Sequence, residues 1–169
     1  MIYRIRVTAN TQDGYVYRDI EINSSASLED LHNVILQSFG LDGTEPASFY
    51  LLDEELNTTG EIPLFPMDET LQTVSMDKMR LHEVLHRSSP RLAYVYDYLN
   101  MWQFLVELME EGPEISGRPY PYVAHAQGQL PDNPPEIQFD IKNTDEMFED
   151  EFGDDEWDYL DDADDNDWY

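Results

Sequence analysis

The chain has 169 residues, no cysteine, and 9 Lys and Arg against 37 Asp and Glu, a formal net charge of −28. Its length suits one domain with an appendage, and 41% hydrophobic with 12% aromatic residues is too apolar for wholesale disorder. The missing cysteines exclude disulfides, thiolate catalysis and Cys-ligated metal or cluster sites, and the acidic balance excludes broad nucleic-acid or anionic-membrane binding, which needs clustered Lys and Arg.

The opening residues Met1–Arg6 lack the charged-then-apolar run of a signal peptide. No run of ~18 apolar residues offers a membrane span. A cytoplasmic location follows as the expectation. The first strand is expected over 2–9, with Tyr3, Ile5, Val7 and Ala9 on one face. Asn10 to Gly14 reads as a turn through Asp13-Gly14. A second strand over 15–22, in which Val16, Ile20 and Ile22 alternate with polar residues, completes an antiparallel hairpin.

A helix follows. Ser27 is an N-cap, Asp30 completes a weak capping box, and Leu28, Leu31, Ile35 and Phe39 repeat at helical spacing. Gly40 ends it as a C′ residue. Ala47–Asp53 reads as a strand. Residues 54–76, interrupted by Pro63 and Pro66, read as a long irregular connection. A short helix is expected over about 77–87, then strands over 91–97 and 102–109 joined by a turn at Tyr98-Leu99-Asn100. The fold class is therefore α+β: a two-layer, β-grasp-like mixed sheet with one main helix, plus an acidic tail.

The elements carry a pattern. Leu28-x-x-Leu31-His32-x-x-Ile35-x-x-x-Phe39-Gly40, then Tyr94-Val95-Tyr96-Asp97, then Trp102, resembles the pRiA plasmid ORF-three family, which also carries a transposon-passenger or resolvase-like label. Tyr120-Pro121-Tyr122-Val123 and Pro134-Pro135-Glu136 extend the resemblance, which covers about residues 1–136. The family's hairpin reads Tyr-Asp-Phe-Gly-Asp-x-Trp-x-His. Here Asn100 and Phe104 stand where its second Asp and its His would be. The resemblance implies the fold and a mobile-element context, and no settled activity. The resolvase label finds no arginine-surrounded nucleophile in a body with net charge −12 over residues 1–130.

Three groups of residues could carry function. Tyr96, Asp97 and Trp102 gather at one hairpin; an Asp capping the turn and a Trp filling the core explain them, with a small-molecule or peptide site as the alternative. His82-Glu83-Val84-Leu85-His86 matches H-E-x-x-H, the spacing by which zinc hydrolases place two imidazoles on one helix face beside a general-base Glu. Glu107 or His125 could supply a third ligand. Against this, His82 and His86 lie roughly 130° from the face centred on Leu81, Val84 and Leu85, and Pro90 shortens the helix. His32, beside the apolar stripe of the first helix, reads as a structural histidine.

The third group is the tail. Three prolines at Pro131, Pro134 and Pro135 mark a hinge, dividing the chain into an α+β domain at 1–130 and a tail at 131–169. The tail holds 17 acidic residues against 1 basic one. Phe148, Phe152, Trp157, Tyr159, Trp168 and Tyr169 are interleaved with the acids. Such a pattern suits docking by aromatic anchors while charge selects the partner; the alternative is a tail folded back on its own sheet. The expected function is a non-enzymatic intracellular interaction protein docking a basic protein partner, with Phe152, Trp157, Tyr159, Trp168 and Tyr169 in contact and no cofactor or metal. A zinc-dependent hydrolase through His82 and His86 is the alternative, and a nucleic-acid mimic a further one.

Overall fold

The computed structural model describes residues 1–11, 15–66 and 74–132. Seven strands form one sheet: β1 (Ile2–Ala9), β2 (Val16–Asn23), β3 (Ala47–Leu52), β4 (Thr58–Pro63), β5 (Arg91–Tyr96), β6 (Trp102–Gly112) and β7 (Tyr122–Gln127). Their spatial order is β4-β3-β5-β6-β1-β2-β7. All pairings between these strands are antiparallel. The expectation of a mixed sheet is corrected accordingly. Three neighbouring pairs, β1–β2, β3–β4 and β5–β6, follow one another directly in sequence, and short connections return a strand antiparallel to its predecessor.

One helix of three turns, α1 (Leu28–Phe39), lies on one face of the sheet. Its start is fixed as the sequence implies. The Asp30 N–H donates to Ser27 Oγ (3.1 Å) and the Ser27 N–H donates back to Asp30 Oδ2 (3.0 Å), so two otherwise orphaned donors are satisfied reciprocally. At its end Gly40 adopts φ 76°, a left-handed conformation that glycine takes without a Cβ clash. Leu28, Leu31 and Ile35 are fully buried and Phe39 nearly so. Beneath them the sheet presents Ile5, Val7, Ile20, Ile22, Phe49, Leu92, Tyr94, Phe104 and Val106, all in the same buried cluster. A chain of tilted rings runs through it, Phe39 to Phe104 at 4.9 Å, Phe104 to Tyr94 at 5.6 Å and Tyr94 to Phe49 at 4.8 Å between centroids.

The structure departs from the sequence reading at three places. The connection over 54–76 contains β4, which pairs with β3 as a hairpin; residues 122–127, unassigned from sequence, form β7 on β2. The helix expected over 77–87 is a 3-10 turn at Met76–Lys78 and a single helical turn, α2 (Leu81–Val84). Its backbone is spent elsewhere: the Leu81 and His82 N–H groups donate to the carbonyls of Ala26 and Ser24, and the Leu28 N–H donates to Met79. These bonds tie the segment to the loop before α1, and hydrogen bonds to a neighbouring segment replace those of a longer helix. The Asp13-Gly14 turn, most of the proline hinge and the acidic tail lie outside the described residues.

Leu31 sits at the centre of the helix–sheet contact with no exposed surface. Leu31→Ala should cost about 2–5 kcal/mol, measured by urea unfolding.

Candidate functional site

The β5–β6 hairpin brings Tyr96, Asp97 and Trp102 together, and each is occupied by the fold. The Tyr96 hydroxyl donates to Asp42 Oδ1 (2.6 Å) and accepts the N–H groups of Gly43 (2.9 Å) and Glu45 (3.3 Å). It thereby pins the loop that carries the chain from α1 into β3. Burial pushes the Tyr96 phenol up, and the same hydrogen bond holds the Asp42 carboxyl below its ordinary range. Asp97, buried and at φ 66°, accepts from the Leu99 and Asn100 N–H groups and from Asn100 Nδ2 (2.6 Å). It caps the turn, in an Asx geometry that tolerates the left-handed backbone. Trp102 is half-buried against the core.

His32 of α1 is only 3% exposed, with Nδ1 at 2.6 Å from the Tyr94 hydroxyl. Burial lowers the imidazole pKa to about 4 and raises that of the phenol. The ring is therefore neutral at pH 7, and it shares one hydrogen bond with the Tyr94 hydroxyl, whose direction follows the tautomer. A buried pair satisfied in this way specifies how α1 sits on β5.

The motif at 82–86 does not assemble the constellation its spacing suggests. α2 ends at Val84, and Leu85 is extended at φ −129°. His86 instead bridges Ser89 through paired backbone hydrogen bonds of 3.1 and 2.9 Å. His82 and Glu83 are exposed, and the Glu83 carboxylate accepts from the Arg80 N–H. His125 lies on β7 beside the Tyr17 ring, and Glu107 on β6 beside Arg91. Among the described residues no group of three or more His, Asp or Glu side chains is placed to hold a metal ion.

The face of the sheet away from α1 holds polar groups that the sequence reading missed, because their partners are far apart in the chain. Arg6 forks onto Asp19 (2.8 and 3.0 Å) and stacks over the Tyr17 ring at 4.2 Å. Arg4 and Arg118 reach Glu21 at 3.4 and 3.3 Å. The Arg6 guanidinium holds the Asp19 carboxyl below its usual range against the opposing effect of burial. Further along, the Ser48 hydroxyl donates to Glu61 Oε2 (2.6 Å) and meets the Tyr98 hydroxyl. Burial, reinforced by Glu61, pushes the neighbouring Tyr50 up to about 12. Cross-strand placement is the signal that could have found these pairs, since Arg6 opposes Asp19 and Arg4 opposes Glu21 in the β1–β2 register.

These contacts have a common electrostatic result. Arg4, Arg6, Arg87, Arg91 and Arg118 each pair with a carboxylate of the body. Arg18 is buried over Phe39 and donates to the carbonyls of Tyr17, Ser38 and Gln127. The surplus acids, among them Glu54, Glu55, Glu110 and Glu114, are exposed. Among the described residues no helix is long and apolar enough to cross a membrane.

A depressed histidine pKa costs stability in acid, because the unfolded chain binds a proton that the folded one refuses. The contribution of His32 is fully present above about pH 6.5, its unfolded value, and is lost as pH falls toward about 4. Urea unfolding between pH 7 and 4 should show a loss of about 2–3 kcal/mol from this group. His32→Gln should flatten the slope in that window and leave the further loss in stronger acid that follows from Asp19, whose carboxyl Arg6 holds below its usual range.

No curated protein matches the chain. Among solved structures, the crystal structure of a protein of unknown function from Methanosarcina mazei Go1 is similar, at 20% identity and a TM-score of 0.66, covering 88% of this chain and 79% of that one. That likeness bears on the fold alone. The family model described as plasmid pRiA4b ORF-3-like protein matches residues 1–161. The match runs past residue 136, where the resemblance read from the sequence stops, and into the acidic segment. The chain belongs to the plasmid pRiA4b ORF-3-like protein family.

Proposed function

We propose that the protein is a non-enzymatic intracellular interaction protein, a β-grasp-like body at 1–130 and an acidic-aromatic tail at 131–169, that docks a basic protein partner. The observation that carries this reading is the fate of the cations. The body spends six of its seven arginines on its own carboxylates and on backbone carbonyls, with Arg80 and Lys78 outside these pairs, so what a partner meets is an excess of acid. The tail adds 17 acidic residues and only 1 basic residue. A surface of this kind repels nucleic acid and acidic proteins and steers basic ones toward it. The reading also accounts for the aromatics between the tail acids, since Trp and Tyr are the usual energetic anchors of an interface. Among the described residues, the Tyr96, Asp97 and His32 side chains are engaged in holding the fold.

The test is kinetic, on a basic partner captured by the full chain. Trp157→Ala with Tyr159→Ala should speed dissociation about tenfold or more and leave the salt dependence unchanged. Changing Asp161, Asp162, Asp164 and Asp165 to Asn should slow association and flatten the salt dependence. Dissociation and association that ignore both sets of changes would refute the docking role of the tail.

A further inference from the structure

The sheet ends on one side at β4, and among the described residues no strand lies beyond it. The direction of its outward backbone groups follows from the ladder. The Leu64 N–H donates to the Ala47 carbonyl at 2.9 Å, and the register pairs Phe49 with Ile62 and Tyr50 with Glu61. Antiparallel pairs alternate between hydrogen-bonded and non-hydrogen-bonded. Residues 62 and 64 therefore point their backbone groups at β3, and Glu61 points its N–H and C=O outward, joined by the C=O of Pro63. The missing N–H of Pro63 falls on the outward side, where an edge strand tolerates it.

The surroundings of this edge are not neutral. Glu54 and Glu55 in the β3–β4 turn and Glu61 on the strand are exposed. No Lys or Arg occurs between residues 41 and 77. The nearby Arg91, which lines a groove with Asp53, Glu54 and Glu55, is already paired with Glu107 at 3.4 Å. An exposed apolar side chain stands near each end of the strand, Leu56 before it at 41% exposure and Phe65 after it at 70%. The opposite edge, β7, exposes the apolar Val123 but lacks the acidic surroundings. It carries no Asp, Glu, Lys or Arg, and the adjacent Arg118 covers the Tyr122 ring at 5.0 Å.

We infer that β4 is a strand-addition edge that takes an extended, Lys- or Arg-bearing segment of the protein partner as an eighth strand. The inference rests on the interaction-protein reading and gives it a register. Main-chain hydrogen bonds to Glu61 and Pro63 supply the alignment, Glu54, Glu55 and Glu61 select the cations, and Leu56 and Phe65 receive apolar residues at the two ends. A strand of six residues spans about 17–20 Å, so the segment needs about six to eight residues.

The probe is a synthetic peptide alternating Lys and Val over about eight residues, titrated into the full chain, beside the same peptide N-methylated at alternate amides. The two have equal charge and differ in hydrogen-bonding capacity. Strand addition predicts that methylation weakens binding at least about tenfold. It also predicts that the unmethylated peptide slows amide exchange at Glu61 and leaves Ala126 unchanged. Glu54→Gln with Glu55→Gln, both in an exposed turn, should weaken the unmethylated peptide, and Phe65→Ser should do so without altering salt dependence. Equal binding of the two peptides would overturn strand addition and leave acid-driven docking standing. Binding of neither peptide would overturn it, as would protection at β7 instead of β4. Protection of Glu61 without peptide, rising with protein concentration, would assign the edge to a second copy of the chain and likewise overturn it. If the peptide adds to β4 while the captured partner proves insensitive to salt, the edge stands and the basic-partner reading falls.

Discussion

The burial of one sheet face under α1 is the constraint on which the rest of the molecule hangs. A twelve-residue helix is marginal by itself in water, and so is a lone hairpin. Joined, they bury Leu28, Leu31, Ile35 and Phe39 against the ring chain of Phe104, Tyr94 and Phe49, each large side chain contributing about 1.5–3 kcal/mol. That contact places the polar pairs as well. His32 can reach Tyr94 only because α1 crosses β5 at this height, and Tyr96 can hold Asp42 only because the chain leaves α1 at Gly40. The capping box and the left-handed glycine set where the helix starts and stops, and so set which residues fall over the rings.

Charge acts on this frame as a second constraint. A chain at −28 pushes its own parts outward. The body answers by laying its few arginines across the strands that carry acids, Arg6 on Asp19 and Arg4 on Glu21. Asp19 is nearly excluded from water, and its pair is consequential; exposed pairs such as Arg87 with Glu111 contribute little. The arrangement holds the central strands together and leaves the periphery acidic, and the polarity of any recognition follows from that division.

The elements that could be read from sequence are those that declare a face by themselves. β1, β5 and β6 alternate cleanly because one side meets α1, and α1 announces itself through Ser27, Asp30 and Gly40 as much as through its apolar stripe. The edge strands β4 and β7 were illegible for the converse reason. Among the described residues each pairs on one side only, so Thr58–Pro63 can accommodate Gly60 and Pro63, and Tyr122–Gln127 can stay largely exposed. The segment at 76–89 misled because its helical spacing is real while its hydrogen bonds go to residues 24–28, a tertiary choice that no local pattern records. At the hairpin, Asp97 as a turn cap was legible from its position before Tyr98-Leu99-Asn100. The hold of Tyr96 on Asp42 was not, since 54 residues separate them.

The central claim is that recognition runs through surplus acid, because six of the seven arginines of the body are already engaged. Affinity capture from native lysate, comparing the full chain with the compact unit Met1–Ile137 at low and high salt, addresses it directly. The account predicts that the full chain retains basic proteins which salt elutes, and that the shortened chain retains the same proteins more weakly. Retention of acidic or neutral proteins, or of proteins that high salt fails to release from either chain, would contradict it.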